Sequence, residues 1–405
     1  METEKLYEQD SRLREWEATV LACETIIDGY RVVLDRTAFF PEGGGQLSDG
    51  GTIGDVTVWE TREKDGHIYH FTKEPVPVGA KAKCALDWPR RLDHMQQHTG
   101  EHLLSWAFWS LFGVENIGFH MGEETVTIDL SRPVTQEEMD AAEEAANRDI
   151  WKDLPVRCYV ATPAEVEALA LRKKTDKVTG DLRIVEIQGS DICTCCGTHA
   201  NSTGEVGLVK IIRQEHTKGG RRVQFLCGGR ALSDYRLKNR VALEAGAALS
   251  VKEGEVPDGI RRLKGELAAQ GAALREKGRL LTEVYARDLL ATGGEEGRMG
   301  RVIVTCQPDL DAKEAKLLLN ALTAVPGTGA VVIYPVPGKA GAEGRVCYLA
   351  GRAPDSPADC KYLCDVLNGL YNGKGGGKAA FAQGSGRLAP DWETAAGTLR
   401  QMLAK

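Results

Sequence analysis

The chain has 405 residues, a formal net charge of −7 and 42% hydrophobic residues. This length predicts more than one domain, and the composition is that of an ordinary globular protein. The sequence lacks an apolar run near the roughly 18 residues of a membrane-spanning helix, and its charged N-terminus lacks an apolar signal core. We therefore expect a cytoplasmic protein without a membrane contact, in which most of the eleven cysteines are buried thiols rather than disulfides.

Residues 1–90 consist mainly of short alternating or apolar runs, such as ATVLACETI and YRVVLDRTAF, which turn residues separate. This pattern predicts strands and a β-barrel-like N-terminal domain. The segment FFPEGGGQLSDGG (39–51) is too rich in glycine for a regular element. Its Gly43, Gly44 and Gly45 would let backbone N–H groups approach a ligand closely, and the alternative interpretation is a plain β-turn.

The stretch from Asp87 to Gly113 has the spacing of one long helix. Pro89 suits the first turn of that helix, and Gly113 suits its C-terminal end. His98 and His102 are four residues apart, so they project from one face at a spacing that suits a single metal ion. The alternative is a pair of structural histidines.

The rest of the chain predicts an α+β fold in four parts. Strands and helices alternate through the second part, which indicates a two-layer α/β domain, with helices starting at Thr135 and over TPAEVEALALRKK (162–174). Leucine and alanine at three- and four-residue steps then indicate a helical linker, and buried-type strands such as RVIVTC indicate a C-terminal α/β domain. The predicted domain boundaries are 1–90, 91–232, 233–295 and 296–405.

The segment CTCCGTH (193–199) places three thiols and an imidazole within seven residues. Cys195 and His199 frame a Cys-x-x-x-His pattern, in which Gly197 supplies a tight turn. Thiolate and imidazole ligands together suit Zn²⁺. Cys193 and Cys196 are alternative ligands, and spacing alone does not choose among the three thiols. The sequence thus predicts one zinc ion per chain, with His98, His102, His199 and one of these thiols as its ligands.

Four motifs in one order resemble a known family. HTGEHLL followed by CGTH resembles the zinc signature of the alanyl-tRNA synthetase editing domain and of its stand-alone relatives, the AlaX trans-editing proteins. TAFFPEGGGQLSDGG (37–51) looks like the family's glycine-rich stretch, and TGEVGLVKI (203–211) resembles the strand after the cysteine motif. NGKGGGKAAFAQGSG (372–386) resembles the glycine-rich signature of the C-terminal DHH-associated domain. The family's usual motif is Cys-Gly-Gly-Thr-His, so alignment on Gly-Thr-His makes Cys195 the ligand and leaves Cys196 as a departure.

The resemblance implies a long-form AlaX protein that hydrolyses alanine tRNA mischarged with serine, or with glycine. In this interpretation Glu101 is a general base, although it could equally be a solvated helix residue. Gln46 would hydrogen-bond the substrate, while Thr37 would contact a serine hydroxyl or be a plain strand residue. Lys374 and Lys378 flank a glycine triplet that could contact a phosphate backbone, and the family implies tRNA binding or homodimer formation by this C-terminal domain.

Two other functions compete with this interpretation. HTGEH also matches the His-x-x-Glu-His pattern of a class of zinc metalloproteases, which need a further carboxylate ligand and would leave the glycine stretches unexplained. A non-catalytic, zinc-stabilised tRNA-binding module would bind tRNA without turnover.

Overall fold

The computed structural model describes residues 2–173, 180–336, 344–387 and 392–404 of the chain. Contacts between residues divide the chain into two compact units, Met1–Ala245 and Gly246–Lys405. Helices and sheets occur in both units, so the predicted α+β class is confirmed. The finer division into four domains stays a prediction.

The first part of unit 1 is a β-structure. Its elements in chain order are β1 (Glu4–Lys5), α1 (Leu6–Gln9), β2 (Glu15–Ile26), β3 (Gly29–Leu34), β4 (Arg36–Thr37), β5 (Gly51–Ile53), β6 (Val56–Lys64), β7 (His67–Thr72) and β8 (Lys81–Leu86). Strands β2, β3, β7, β6, β5 and β8 close into a barrel in that order. Trp16, Ala18 and Val20 alternate with exposed residues along β2. This period of two directs one face of the strand into the barrel interior.

The second part of unit 1 packs helices against sheets. Its elements are α2 (Trp88–Phe112), β9 (Asn116–Met121), β10 (Val126–Leu130), α3 (Gln136–Trp151), β11 (Val156–Ala161), α4 (Pro163–Ala168), β12 (Leu182–Ile187), β13 (Ile192–Thr194), β14 (Val209–Thr217) and β15 (Gly220–Cys227). Strands β14, β15, β10 and β9 form one sheet in that order, and β11, β12 and β13 form another. Leu104 of α2, Ala142 of α3 and Phe225 of β15 belong to one buried core, which fixes α2 on the first of these sheets.

Two predicted elements differ from the structure. The helix predicted over residues 162–174 is only six residues long, α4, and ends before Leu169, whose backbone is extended; Lys174 lies outside the described residues. The capping box of Thr162 and Glu165 starts this helix as predicted. The chain then turns, because the N–H of Arg172 donates to the carbonyl of Ile192 at 2.9 Å. The predicted strand over 203–211 begins only at Val209, after a 3₁₀ turn at Thr203–Val206.

Unit 2 contains a six-stranded sheet with helices. Helix α5 (Gly228–Leu249) crosses the boundary between the units, and the later elements are α6 (Val256–Ala291), β16 (Glu295–Gly297), β17 (Gly300–Cys306), α7 (Ala312–Thr323), β18 (Thr328–Val336), β19 (Arg345–Arg352), α8 (Cys360–Leu370), β20 (Lys374–Lys378), β21 (Phe381–Arg387) and α9 (Trp392–Leu403). The strand order in the sheet is β16-β17-β18-β19-β21-β20. Val302 and Val304 of β17 pack into one core with α8 and α9, whereas Ile303 packs into a second core with α7. Both faces of the strand are therefore covered, which explains its continuous apolar sequence.

The glycine-lysine segment near the C-terminus is part of a β-hairpin. Lys374–Lys378 forms the edge strand β20 and pairs with β21 in antiparallel register, from Lys374 opposite Ser385 to Lys378 opposite Phe381. The ladder hydrogen bonds outweigh the low strand propensity of glycine here. Within the described parts of the chain, none of the helices is both long and apolar enough to cross a bilayer.

Candidate metal centre

Helix α2 carries two of the predicted metal ligands on its buried face. The Asp87 side chain accepts the N–H of Arg90 at the N-cap, Pro89 lies in the first turn, and Gly113 ends the helix with a φ of 63°. The predicted helix is therefore confirmed at both ends. His98 and His102 are 2% and 3% exposed, which leaves their imidazoles out of contact with bulk water.

The segment after β13 brings the other two predicted ligands to the same place. The guanidinium of Arg183 donates to the carbonyl oxygens of Cys195 and Gly197, at 2.8 Å each. A Cβ on Gly197 would lie 2.2 Å from Cε1 of His98, so only glycine permits this close approach. His199 follows two residues later and is 1% exposed.

The donor atoms of His98, His102, Cys195 and His199 all lie within 4.8 Å of one another, and this group could hold a metal ion. Sγ of Cys195 is 3.3 Å from Nε2 of His98 and 3.3 Å from Nε2 of His199. Zinc–ligand bonds of about 2.0–2.3 Å in a tetrahedron place donor atoms roughly 3.3–3.6 Å apart, so these separations fit the ion. Among the described residues, Cys193 and Cys196 are outside this group.

The outer ring nitrogens indicate which tautomers are present. Oε1 of Gln46 is 2.7 Å from Nδ1 of His98 and also accepts the N–H of Thr198 at 3.1 Å, while Nε2 of Gln46 donates to Oγ1 of Thr198 at 2.8 Å. The amide oxygen only accepts, so the proton of His98 lies on Nδ1 and its Nε2 carries a lone pair. Nδ1 of His102 lies 3.0 Å from a carboxylate oxygen of Asp191, which also only accepts.

Oγ1 of Thr99 lies 3.2 Å from Nδ1 of the third imidazole, His199, and accepts the N–H of Ala200 at 3.1 Å. Nδ1 of each imidazole thus lies within 3.2 Å of a polar oxygen, while Nε2 of His98 and Nε2 of His199 both face Sγ of Cys195. Lone pairs that converge in a buried site repel one another unless a cation lies between them. The donor set and its surroundings therefore fit a bound metal ion.

Electrostatics distinguish Cys195 from the neighbouring thiols. Burial alone would raise the pKa of Cys195, but the imidazoles of His98 and His199 outweigh it and hold the pKa well below the usual thiol value. Burial raises the pKa of Cys193 and of Cys196. Since metals bind the thiolate, Cys195 is the favoured ligand of the three. Burial also lowers the pKa of His199 to about 3, which keeps this imidazole neutral.

Glu101 is buried, with 5% of its surface exposed, so the alternative of a solvated helix residue is wrong. Its Oε1 accepts hydrogen bonds from Ser105 Oγ at 2.6 Å and from Asn116 Nδ2 at 2.7 Å. Its other oxygen, Oε2, lies 3.7 Å from Nε2 of His102, beside the convergent donor atoms. The two donors on Oε1 hold the carboxylate so that Oε2 faces the metal centre.

The glycine triplet forms a tight turn, as the β-turn interpretation had it. Gly43 and Gln46 exchange backbone hydrogen bonds of 3.1 and 3.0 Å, with Gly44 and Gly45 at φ values of 59° and 83°. This turn delivers the Gln46 side chain to His98 and also borders a cleft of about 500 Å³, lined in part by Arg62 and His120. Gly43 and Gly45 therefore line a cleft that has room for a ligand, and their role in binding stays a prediction.

Thr37 is fully buried, and its hydroxyl has two partners. Nδ1 of His70 lies 3.1 Å from the carbonyl of Val32, so Nδ1 carries the proton. The Thr37 hydroxyl therefore donates to Nε2 of His70, at 2.8 Å, and it accepts the N–H of Phe39 at 3.2 Å. Burial lowers the pKa of His70 to about 4, which keeps this acceptor available. Thr37 can thus only accept from a further partner.

Lys374 and Lys378 belong to unit 2 and end the exposed edge strand β20. Their role in binding stays a prediction.

Sequence reasoning missed several residues that build the metal centre, among them Asp191, Arg172, Arg183, Thr99 and Thr198. Asp191 is fully buried and forms a two-pronged ion pair with the half-buried Arg172, with Nε to Oδ1 at 2.8 Å and Nη2 to Oδ2 at 3.0 Å. Asp191 lies two residues before Cys193, and this acidic residue beside a cysteine cluster was the available signal in the sequence.

Residues 182–224 match the threonyl and alanyl tRNA synthetase second additional domain. The chain is 34% identical to the alanyl-tRNA editing protein AlaX-L of Pyrococcus horikoshii over 77% of this chain and 79% of that protein. It is 36% identical to the alanyl-tRNA editing protein Aarsd1 of Rattus norvegicus, over 56% of this chain and 59% of that one.

An alanine–tRNA ligase of Methanoregula boonei is 31% identical over 95% of this chain but only 42% of the ligase. The solved C-Ala domain of Aquifex aeolicus alanyl-tRNA synthetase aligns with 28% of this chain and 98% of that domain at 16% identity, with a TM-score of 0.24. The extent and identity of the AlaX-L match show that this chain belongs to the family of alanyl-tRNA editing proteins.

Proposed function

We propose that this protein is a zinc-dependent hydrolase that removes serine, or glycine, from mischarged alanine tRNA. The observation that carries the proposal is the convergence of four suitable ligands beside a buried carboxylate, in a chain whose relatives are named alanyl-tRNA editing proteins. The more general statement, that the chain is an enzyme of tRNA editing, rests on those relatives.

The reaction is the hydrolysis of the ester between an amino acid and the terminal ribose. Water adds to the carbonyl carbon, the ester C–O bond breaks, and the ribose oxygen leaves with a proton. A bound Zn²⁺ would supply positive charge that favours ionised water and a polarised carbonyl. Oε2 of Glu101 accepts the proton from the attacking water, because Ser105 and Asn116 hold its other oxygen. Glu101 then returns that proton to the ribose oxygen.

The cleft of about 500 Å³ beside the glycine turn is the proposed entry for the charged tRNA end. Gly43, Gly45 and Arg62 line this cleft, and the guanidinium of Arg62, which is ion-paired with Glu60, would exchange that partner for a phosphate. Gln46 reaches from this wall to His98, and so connects the cleft to the metal centre.

Selectivity for serine over alanine requires recognition of one hydroxyl. In the proposed role, Thr37 accepts a hydrogen bond from that hydroxyl, since its own proton is committed to His70. Its full burial favours the alternative, a strand residue that supports the site from beneath. The two roles predict different effects on selectivity when Thr37 is replaced, so a substitution there distinguishes them.

In unit 2, Lys374 and Lys378 lie at the two ends of the exposed strand β20 and would neutralise phosphates of the tRNA body. Formation of a homodimer through the C-terminal residues is the other role that we propose for this unit.

One experiment tests the activity. The full-length protein is incubated with alanine tRNA charged with serine, glycine or alanine, with and without a metal chelator. We expect release of serine, slower or equal release of glycine, and retention of alanine. The chelator should abolish the release of serine and glycine, and added zinc should restore it. Binding without release would support a tRNA-binding module instead, and zinc-dependent cleavage of peptides would support the metalloprotease alternative.

A further inference from the structure

The contact between His102 and Asp191 differs from those of the other two imidazoles. His98 and His199 each face a neutral oxygen at Nδ1, from Gln46 and Thr99. His102 faces a carboxylate, at 3.0 Å, and that carboxylate is fully buried.

Asp191 is in turn anchored by an ion pair with an arginine. Arg172 binds both of its oxygens, at 2.8 and 3.0 Å, and only 8% of the Arg172 side chain is exposed. The backbones of both residues are tied to the same hairpin, because the N–H of Arg172 donates to Ile192 at 2.9 Å and the carbonyl of Asp191 accepts the N–H of Ile187 at 2.8 Å. The guanidinium therefore pairs with a buried carboxylate and does not present a surface charge to tRNA.

We propose that Asp191, anchored by Arg172, is a positioning residue that holds His102 with Nε2 directed at the metal and strengthens it as a ligand. This inference rests on the proposed zinc site. A carboxylate that accepts from the outer nitrogen of a ligand histidine fixes the tautomer and ring orientation and makes the inner nitrogen a better donor.

The alternative role for Asp191 is only to neutralise the buried charge of Arg172. The two roles separate in the double variant Asp191→Asn/Arg172→Gln, which removes both charges together while Asn keeps the shape of Asp. If Asp191 acts only as a counter-ion, the double variant regains the metal affinity that Asp191→Asn loses. If Asp191 positions His102, the affinity stays low, since no carboxylate faces Nδ1.

The measurement is the zinc dissociation constant of the full-length protein, by competition with a chromophoric chelator, together with the visible spectrum of the Co²⁺-substituted protein. We expect the double variant to bind zinc about 10–100-fold more weakly than wild type, with a changed Co²⁺ spectrum. The matched control is Asp129→Asn/Arg222→Gln, which removes a pair of the same two-pronged form, with both distances 2.7 Å, between β10 and β15. It should bind zinc as wild type does.

A double variant with the affinity and spectrum of wild type would overturn the inference while leaving the proposed function intact. A wild-type protein that takes up no zinc would overturn both. Arg172→Gln alone keeps the carboxylate on His102, so it should bind zinc more tightly than the double variant; equal weakening in the two would show that Asp191 contributes nothing once Arg172 is gone, and would also overturn the inference.

Discussion

The buried ion pair between Arg91 and Asp49 should be the most sensitive structural link near the metal centre. Arg91 is fully buried on the same helix as His98, and it donates to Asp49, to the carbonyl of Ser11 at 2.7 Å and to the carbonyl of Ala38 at 2.5 Å. Arg91→Met keeps the apolar stem but leaves the buried Asp49 without its cation. Breaking a buried pair in this way costs about 3–5 kcal/mol of stability.

The pH dependence of this loss has a definite sign. Burial would raise the pKa of Asp49, but the charge and hydrogen bonds of Arg91 hold it below its usual value. The pair therefore contributes stability that is fully present above the unfolded pKa of about 3.9 and is lost as the pH falls through the folded pKa. In Arg91→Met, burial acts against the remaining hydrogen bonds from His94 and from the N–H of Phe40, so we expect the pKa of Asp49 to rise and the stability of the variant to fall as the pH rises. The difference from wild type is largest near neutral pH and narrows toward pH 3.

Urea unfolding of the full chain, followed by tryptophan fluorescence, measures this effect. Six of the seven tryptophans lie in unit 1, so the signal reports mainly on the unit that contains the pair. The control is Arg222→Met, which breaks an ion pair with Asp129 whose arginine side chain is 48% exposed; we expect a loss of at most about 1 kcal/mol there. If Arg91→Met costs no more than this control, or if its deficit does not shrink in acid, the account of the buried pair is wrong.

Four further predictions concern the site and unit 2. Cys195→Ser should abolish zinc binding, measured by elemental analysis, whereas Cys193→Ser should retain about one zinc per chain; the reverse ranking would refute the ligand assignment. Glu101→Gln should lower the single-turnover deacylation rate about 10²–10⁴-fold with zinc retained, and an unchanged rate would remove Glu101 from the mechanism. Thr37→Val leaves Nε2 of His70 without its donor, so it should cost about 1–3 kcal/mol in urea unfolding and narrow the ratio of seryl to alanyl release; a changed stability with an unchanged ratio would make Thr37 a strand residue only. Lys374→Gln/Lys378→Gln should reduce the slope of log affinity for tRNA against log salt by roughly 1.4–1.8, with Lys361→Gln as the control, and an unaltered slope would argue against phosphate contacts by these lysines.

Local features of the chain were predictable because they depend on periodicity and on residues near in sequence. The cap at Asp87, Pro89 in the first turn and Gly113 at the end determine α2, and four-residue spacing alone puts His98 and His102 on one face. The capping box of Thr135 and Glu138 likewise starts α3. Glu101 shows the limit of such reasoning, since the sequence placed it on the helix but could not tell whether it is solvated or buried.

The tertiary structure decided the contacts that join distant segments. Gln46 meets His98 across 52 residues and Thr198 across 152, so nothing in the local pattern of the glycine turn predicts either partner. The strand β20 is another case, because its glycines have low strand propensity and pair only where β21 offers an unfilled edge. Asp191, Arg172 and His102 are another such case: they lie far apart in the sequence, and only the packed chain brings the carboxylate between the guanidinium and the imidazole.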